Sequence, residues 1–316
     1  MREKLVQSIV VFLALVVVGE FLVRPQQHLT QQLKDARFIQ EPLSQEKQLK
    51  LGQTSSAVAL GGLRSLIAAV MNLQAYGAFE EQEWAELEQL FEVIITLQPN
   101  NTYYWDSGAW HLAYNAYYDF EEKMGLSPAR CRLKQREYHK KGEDFLLRGV
   151  AENPDEAQLW LSLGRLYTDP HRPYNFTQAE EYFHQALQLP GVDDRLRREY
   201  FYTLGRVKGR EREALDLARD LASRGNLRYS SLRAHHAALA LIVDPSLVDN
   251  IDPLISEVFG GSKAQAYQDL ANYWLRSHRE LFPKGNLAPV LTQLASELNV
   301  PDTYNPLRNP TMDRLK

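Results

Sequence analysis

The sequence predicts an all-α fold for most of this 316-residue chain. From residue 58 onward, apolar residues recur at intervals of three and four, which is the period of an amphipathic helix. No sustained alternation of apolar and polar residues occurs, and no Asn-Gly or Asp-Gly turn joins two β-rich segments. Proline lies between helical segments, as at Pro99, Pro154 and Pro190. These patterns predict helices joined by short loops.

Composition limits the class of protein. Hydrophobic residues make up 44% of the chain and charged residues 24%, which is ordinary for a folded protein and excludes a mainly disordered one. The net charge of -4 gives no general attraction to nucleic acid, so we predict no nucleic-acid partner. A single cysteine excludes an intrachain disulfide and any cysteine-based zinc or iron–sulfur site.

The N-terminal segment has the length and composition of a membrane helix. Residues 5–23, LVQSIVVFLALVVVGEFLV, would form a helix of about 28 Å, close to the roughly 30 Å hydrocarbon core of a bilayer. Arg2 and Lys4 precede it, which favours a cytoplasmic N-terminus with the remainder exported. We therefore predict a transmembrane signal anchor at residues 1–24. The alternative is a cleaved signal peptide with a weak cleavage site after Val17 and Gly19.

Three further regions follow the predicted anchor. Residues 25–57 are rich in glutamine and poor in large apolar side chains, which predicts a polar juxtamembrane spacer with a short helix around residues 29–39. Residues 58–300 form the predicted helical domain, and residues 301–316 a C-terminal tail. No second segment is apolar for long enough to span a bilayer.

Within the helical domain, periodicity and breakers predict twelve helices, with Asp155, Asp193 and Ser262 as N-caps. Their predicted ranges are 59–78, 82–97, 102–122, 134–152, 155–168, 177–189, 194–208, 211–224, 229–242, 248–258, 262–281 and 286–298. Twelve helices with short connections favour stacked hairpins over a single bundle.

One segment carries a repeat signature. Its residues, in order, are Trp160, Leu163, Gly164, Tyr167, Ala179, Phe183 and Pro190. They match the tetratricopeptide pattern, with a small insertion at residues 169–176 between the two helices. In this pattern Gly164 lets the second helix approach the first closely. Neighbouring segments match it less well. The chain therefore resembles a tetratricopeptide repeat protein over roughly residues 59–298, and the resemblance implies a right-handed superhelix of stacked helical hairpins.

A narrower resemblance rests on three strings: LGGLRSL at 60–66, ITLQPNNTYYWDSGAWHLAYN at 95–115 and GVAENPDEAQLW at 149–160. They are similar to a group of bacterial membrane-anchored tetratricopeptide proteins. This resemblance implies a single-pass protein of the bacterial inner membrane, and with the charge bias it predicts a periplasmic helical domain. It implies no enzymatic activity.

In tetratricopeptide proteins the first helices of successive repeats line a concave groove that holds peptides, so the resemblance implies partner-binding positions here. Arg165 and Arg206 are suited to bind a carboxylate through two parallel hydrogen bonds. The alternative is an ordinary solvated face. The implied positions are Tyr103, Asp106, Trp110, Tyr114, Gln158, Leu161, Arg165, Glu199, Tyr202 and Arg206.

Eight aromatic residues fall within residues 103–120. Tyr103, Trp110, Tyr114 and Tyr117 share one face of a helix, and Trp105 lies on another. A helix needs only one apolar face to pack on its partner. The second face is therefore either a partner-binding surface or buried between neighbouring units and the long insertion at 118–134.

No sequence pattern indicates catalysis. Phosphate-binding loops, H-E-x-x-H and G-x-S-x-G are absent. We expect Cys131 to be an unreactive residue in the loop at 118–134, because no motif supplies a catalytic partner. We expect the histidines at the surface or partly buried. The prediction is no catalytic residue, no metal, no cofactor and no small-molecule substrate.

These observations predict a non-enzymatic, membrane-anchored scaffold that binds a protein or peptide partner in a concave groove and assists assembly of a bacterial envelope complex. Two alternatives stay open. The chain would be a permanent structural subunit of a larger membrane complex, or it would be an envelope enzyme without a recognisable motif.

Overall fold

The computed structural model describes residues 63–121, 123, 125–276 and 283–309. Within these ranges the regular elements are all helices and no strand occurs, so the predicted all-α class is confirmed. The helices are α1 (Arg64–Glu80), α2 (Trp84–Leu97), α3 (Thr102–Trp110, continuing through a π-helical turn His111–Ala116 to Tyr117–Asp119), α4 (Pro128–Glu152), α5 (Ala157–Leu166), α6 (Phe176–Leu187), α7 (Asp194–Leu204), α8 (Glu211–Ser223), α9 (Ser230–Val243), α10 (Asp252–Phe259), α11 (Lys263–Arg276) and α12 (Leu287–Glu297).

Each predicted helix has a counterpart, but capping shifts some ends. Asp193 accepts a hydrogen bond from the Leu196 amide at 2.9 Å, as predicted for an N-cap. Asp155 is not an N-cap, because α5 begins later and its N-cap residue is Glu156. Helix α4 begins six residues before the predicted start, since Ser127 caps it ahead of Pro128.

The predicted transmembrane anchor at 1–24 and spacer at 25–57 lie outside the described residues. Among the helices inside the described ranges, none is both long and apolar enough to cross a membrane.

The chain divides at Tyr104 into two compact units, where the sequence predicted one domain from 58 to 300. In the first unit, α1 and α2 form a hairpin. Ala68 and Ala75 of α1 are buried, as are Leu87 and Phe91 of α2. Small residues on α1 let the larger side chains of α2 approach its backbone, which closes the hairpin.

In the second unit most helices pack against the helix that precedes and the helix that follows them. Helix α3 packs on α4, α4 on α5, and the series continues through α9, after which α9 packs on α11 and α11 on α12. One continuous core runs from Ala179 to Leu294. This sequential packing is compatible with a helical repeat, in which each hairpin contacts its neighbours.

Two glycines let helices of the second unit approach closely. A Cβ on Gly164 of α5 would lie 2.7 Å from the Phe183 ring of α6. A Cβ on Gly142 of α4 would lie 2.4 Å from the Ala113 Cβ of α3. The Gly164 contact is the one that the repeat signature predicts.

Two parts of the chain differ from expectation. Cys131 is not in a loop, because it lies in the first turn of α4 and its side chain is buried. Residues 301–309, predicted as part of a tail, contact the helical domain: Asn305 is buried, and the Tyr267 hydroxyl donates a hydrogen bond to the Tyr304 carbonyl at 3.2 Å.

Candidate binding groove on helices α5, α7 and α9

Two cavities adjoin each other on one face of α5, α7 and α9. The larger, of about 330 Å³, is lined by Arg165, Thr168, Phe183, Glu199, Tyr202, Thr203, Arg206, Ser231 and His235. The smaller, of about 250 Å³, includes Gln158, Leu161, Val192, Leu196 and the same Arg165 and Glu199. We call this surface the α5–α7–α9 groove. Six of the ten positions predicted to bind a partner line it.

Arg165 and Glu199 join the two cavities by an ion pair. Arg165 donates to Glu199 through Nε (2.8 Å to Oε2) and Nη2 (2.8 Å to Oε1). The hydrogen bond to Glu199 raises the pKa of the Arg165 guanidinium. Arg165, predicted to bind the carboxylate of a partner, therefore binds a carboxylate of its own chain. The pair also fixes α5 against α7.

Arg206, just after α7, supplies positive charge to the larger cavity. Its guanidinium carbon lies 5.1 Å from the centre of the Phe176 ring. Burial lowers the pKa of Arg206 to about 10, and the phenols of Tyr273 and Tyr202 oppose that shift. A buried cation is stabilised when an anion approaches it in a medium of low polarity.

Hydroxyl and aromatic groups form the far wall of the larger cavity. The hydroxyls of Tyr202 and Ser231 are hydrogen-bonded at 2.8 Å. The ring of His235 lies 4.8 Å from that of Tyr202 and 4.6 Å from that of Tyr273, measured between centroids. The cavity thus combines a cation, hydroxyl groups and aromatic faces, a combination that suits an acidic group attached to an apolar one.

Asp106 and Tyr114, two further predicted positions, lie on α3 beside α5. Asp106 accepts hydrogen bonds from Ser162 and, at 3.4 Å, from Gln158. Tyr114 is half-buried, and the guanidinium carbon of Arg172 lies 3.6 Å from its ring centre. The structure brings these residues to the α5 side of the groove but outside its two cavities.

The insertion at 169–176 covers part of the aromatic cluster. Asp169 binds the Arg172 side chain at 2.9 Å and accepts a hydrogen bond from the Tyr118 hydroxyl at 3.2 Å. Trp105 and Tyr117 are buried. Burial therefore explains three of the eight aromatic residues, Trp105, Tyr117 and Phe120, and the insertion after α5 contributes cover at Tyr114 and Tyr118.

Trp110 and Tyr103, two more of the predicted positions, are exposed, at 48% and 60% of their surface. Trp110 immediately precedes the π-helical turn of α3. Tyr103 belongs to the first compact unit. Neither lines the groove cavities.

Several groove residues were not predicted as binding residues: Thr168, Thr203, Ser231 and His235. Ser231 and His235 lie on α9, whose sequence lacks the repeat signature. The available signal is their spacing of four residues, which Tyr202 of α7 and Arg206, just after α7, also have.

The prediction that the histidines lie at the surface or are only partly buried is wrong for three of them, because His139, His235 and His236 are buried. The His139 ring lies 5.6 Å from Tyr167 and 6.3 Å from Tyr117, between centroids. Burial lowers the pKa of His139 to about 4 and that of His235 to about 3, with the positive charges of Arg172 and Arg206 acting in the same direction. Both rings are therefore neutral in the folded protein near pH 7.

These shifts predict acid destabilisation. Between pH 6.5 and about 4 the unfolded chain binds more protons than the folded one, because unfolded histidines titrate near 6.5. The free energy of unfolding should fall as pH decreases through this window, by up to about 1.4 kcal/mol per pH unit for each such histidine. Urea denaturation at several pH values measures this dependence of the free energy of unfolding on pH. His139→Phe should make the slope shallower, and an unchanged slope would assign the effect to other groups.

Metal-ligating side chains do not converge in the part of the chain that the structure describes: no three of its His, Cys, Asp and Glu residues could hold a metal ion together. No protein-family model matches the sequence, and no curated protein matches it. The tetratricopeptide resemblance therefore rests on the residues of this chain.

Proposed function

We propose that this chain is a membrane-anchored, non-enzymatic scaffold of the bacterial envelope that binds a protein partner in the α5–α7–α9 groove. The observation that carries the proposal is the adjacency of the two groove cavities, which join residues from three helices into one elongated surface. An elongated surface with several small cavities suits a peptide better than a compact small molecule.

The repeat architecture supports the proposal. Trp160 and Leu163 on α5, Tyr167 at its C-cap and Phe183 on α6 occupy the tetratricopeptide signature positions. Gly164 gives the close approach that the signature requires. Sequential packing of the later helices fits further units of the same kind. We propose that the helices form a right-handed tetratricopeptide superhelix and that α5, α7 and α9 are the first helices of successive repeats.

The groove chemistry suggests how a peptide would bind. The smaller cavity offers the apolar side chains of Leu161, Val192 and Leu196, and the larger offers Arg206 with the hydroxyls of Tyr202 and Ser231. A peptide with an apolar residue followed by an acidic one would fill both. Because the helices hold these side chains in place before binding, little conformational entropy is lost by the scaffold.

The proposed anchor at residues 1–24 would confine the groove to the membrane surface. A partner held in the same membrane then meets the groove at an effective concentration far above its average in the cell. We propose that this partner belongs to an envelope complex and that the helical domain lies in the periplasm.

The test compares partner capture by matched variants of the full chain in detergent. Tyr202→Ala combined with Arg206→Ala should weaken partner binding at least tenfold, because aromatic and arginine side chains commonly contribute more than about 1.4 kcal/mol each at interfaces. Arg212→Ala removes an exposed arginine of α8 outside the groove and should leave binding unchanged. Affinity purification from native membranes with quantitative mass spectrometry provides the measurement, and circular dichroism verifies folding.

Equal recovery of every partner by the groove variant and the control would show that binding uses another face, and the groove proposal would be wrong. A partner that copurifies with both variants in fixed stoichiometry would instead favour the permanent-subunit alternative.

A further inference from the structure

The first half of α4 is strongly basic on its outer side. Residues 130–141 contain six basic side chains and one acidic one, although the whole chain has a net charge of -4. Cys131, Tyr138 and His139 form the buried side of this segment. The basic side chains lie outside that buried side and are exposed or partly exposed. We call them the α4 basic face: Arg130, Arg132, Lys134, Arg136, Lys140 and Lys141.

Half of these cations are not neutralised by the protein itself. The three lysines of the α4 basic face form ion pairs with acidic residues of the same helix, at 2.8 to 3.4 Å. Arg130, Arg132 and Arg136 are exposed and form no ion pair with any carboxylate in the described part of the chain. By contrast, Arg165 and Arg224 each bind a carboxylate of their own chain at 2.8 Å. The three guanidiniums of α4 can therefore bind an anion from outside the chain.

A large apolar side chain lies among these arginines. Leu133 is 65% exposed, and Arg130 and Arg136 lie one helical turn before and after it. The interfacial layer of a bilayer suits this combination. There, guanidiniums bind lipid phosphates while a leucine between them enters the boundary with the acyl chains.

We propose that the α4 basic face docks on the surface of a bilayer that contains anionic phospholipids. A cluster of about four to eight Lys and Arg residues on an amphipathic helix is typical of binding to such lipids. Helix α4 is held on its buried side by α3 and α5. The face is therefore formed before docking, and only its side chains become ordered on the lipid. None of its residues lines the α5–α7–α9 groove, so the two surfaces can act at the same time.

Lipid fits the α4 basic face better than nucleic acid or an acidic protein does. Single-stranded nucleic acid stacks its bases on aromatic rings, and protein interfaces commonly use tyrosine or tryptophan as anchors. Tyr138 and Phe145 of α4 are both buried. The exposed part of the face thus offers cations and one leucine, which is what a layer of anionic headgroups over acyl chains requires.

A fluorescent probe that responds to apolar surroundings tests the contact. Leu133→Cys carries the probe in the full chain, and Cys131→Ala removes the native thiol from every variant. Ala151→Cys is the matched control, because Ala151 is exposed and lies on the same side of α4, five turns or about 27 Å further along. Circular dichroism verifies that each variant folds.

The labelled full chain is reconstituted in vesicles of phosphatidylcholine and in vesicles of equal parts phosphatidylcholine and phosphatidylglycerol. Brominated acyl chains should quench the probe at residue 133 about fivefold more in the anionic vesicles than in the neutral ones. The probe at residue 151 should be quenched equally in both. Raising the salt concentration from about 0.1 M to about 1 M should remove the difference at residue 133, because it shortens the Debye length from about 10 Å to about 3 Å.

Charge variants separate the face from the net charge of the chain. Replacing the three arginines with glutamine should lower the ratio of docked to undocked protein by about tenfold or more. These changes are Arg130→Gln, Arg132→Gln and Arg136→Gln. A control that removes the same charge on and just after α8 should leave the ratio unchanged. Its changes are Arg212→Gln, Arg219→Gln and Arg224→Gln.

Several results would overturn the proposal. They are equal quenching at residue 133 in the two kinds of vesicle, equal quenching at residues 133 and 151 in the anionic vesicles, and equal effects of the two glutamine variants. A probe that responds in neutral vesicles to added polyglutamate or DNA, and not to phosphatidylglycerol, would assign the face to an acidic protein or to nucleic acid. Flotation of the same vesicles reports attachment by the proposed anchor separately, so failure of the anchor and failure of the α4 contact are distinguishable.

Discussion

Replacing Arg233 with methionine is expected to lower the free energy of unfolding by about 3–5 kcal/mol, because it leaves a buried carboxylate without its cation. Arg233 of α9 donates from Nε to Asp269 of α11 at 2.6 Å and also binds the carbonyl of Leu227. The side chains of Arg233 and Asp269 are only 14% and 4% exposed. Gln265 donates to the second Asp269 oxygen at 2.9 Å but brings no charge.

Chemical denaturation measures the effect against a matched control. Arg224→Met removes an arginine from an ion pair with Asp220 at 2.8 Å, but both side chains are more than 40% exposed. That substitution should lower the free energy of unfolding far less, because solvent screens an exposed ion pair. Combining Arg233→Met with Asp269→Leu should recover much of the loss, because the double variant buries no charge. If Arg233→Met lowered the free energy of unfolding no more than Arg224→Met does, the burial of the Arg233–Asp269 pair would be contradicted.

Gly142→Ala is expected to lower the free energy of unfolding by about 1–3 kcal/mol, although alanine favours a helix over glycine by about 1 kcal/mol. The added Cβ would lie 2.4 Å from the Ala113 Cβ and 2.9 Å from the Ala109 carbonyl oxygen of α3. A backbone oxygen cannot swing away as the end of a flexible side chain can. Helices α3 and α4 must therefore move apart, and contacts along their whole interface weaken.

The control for this prediction is Gly205→Ala, at the end of α7. There the nearest atom to an added Cβ is a terminal methyl group of Leu239, at 3.4 Å, and the backbone φ of -63° suits alanine. We expect a change within about 0.5 kcal/mol. Thermal and urea denaturation of both variants provide the comparison. If Gly142→Ala were as neutral as Gly205→Ala, the close approach of α3 and α4 would be wrong.

Helix positions were predictable because the signals that set them are local. The apolar period of each helix, the cap at Asp193 and proline between segments act within a few residues. The α4 start was missed for a local reason too, since the Ser127–Pro128 start signal precedes a strongly charged turn with little apolar periodicity.

Burial was harder to predict, because it depends on which elements cover a residue. Cys131 and His139 lie on α4, in a region of many charges, yet both face the core. Tyr114 shares a helix face with exposed Trp110, but Arg172 from the insertion at 169–176 covers it. Nothing near Tyr114 in the sequence indicates that contact.

The sequence by itself determined the all-α class, the helix positions and the glycine that admits Phe183 beside α5. Only the tertiary structure decided what the predicted binding residues contact. Arg165 and Glu199 are 34 residues apart in sequence, and their pairing, like the meeting of Arg206, Tyr202 and His235 in one cavity, follows from how successive hairpins pack. Helix periodicity specifies which face a side chain occupies, whereas the partner on that face depends on the rotation and offset of a separate helix.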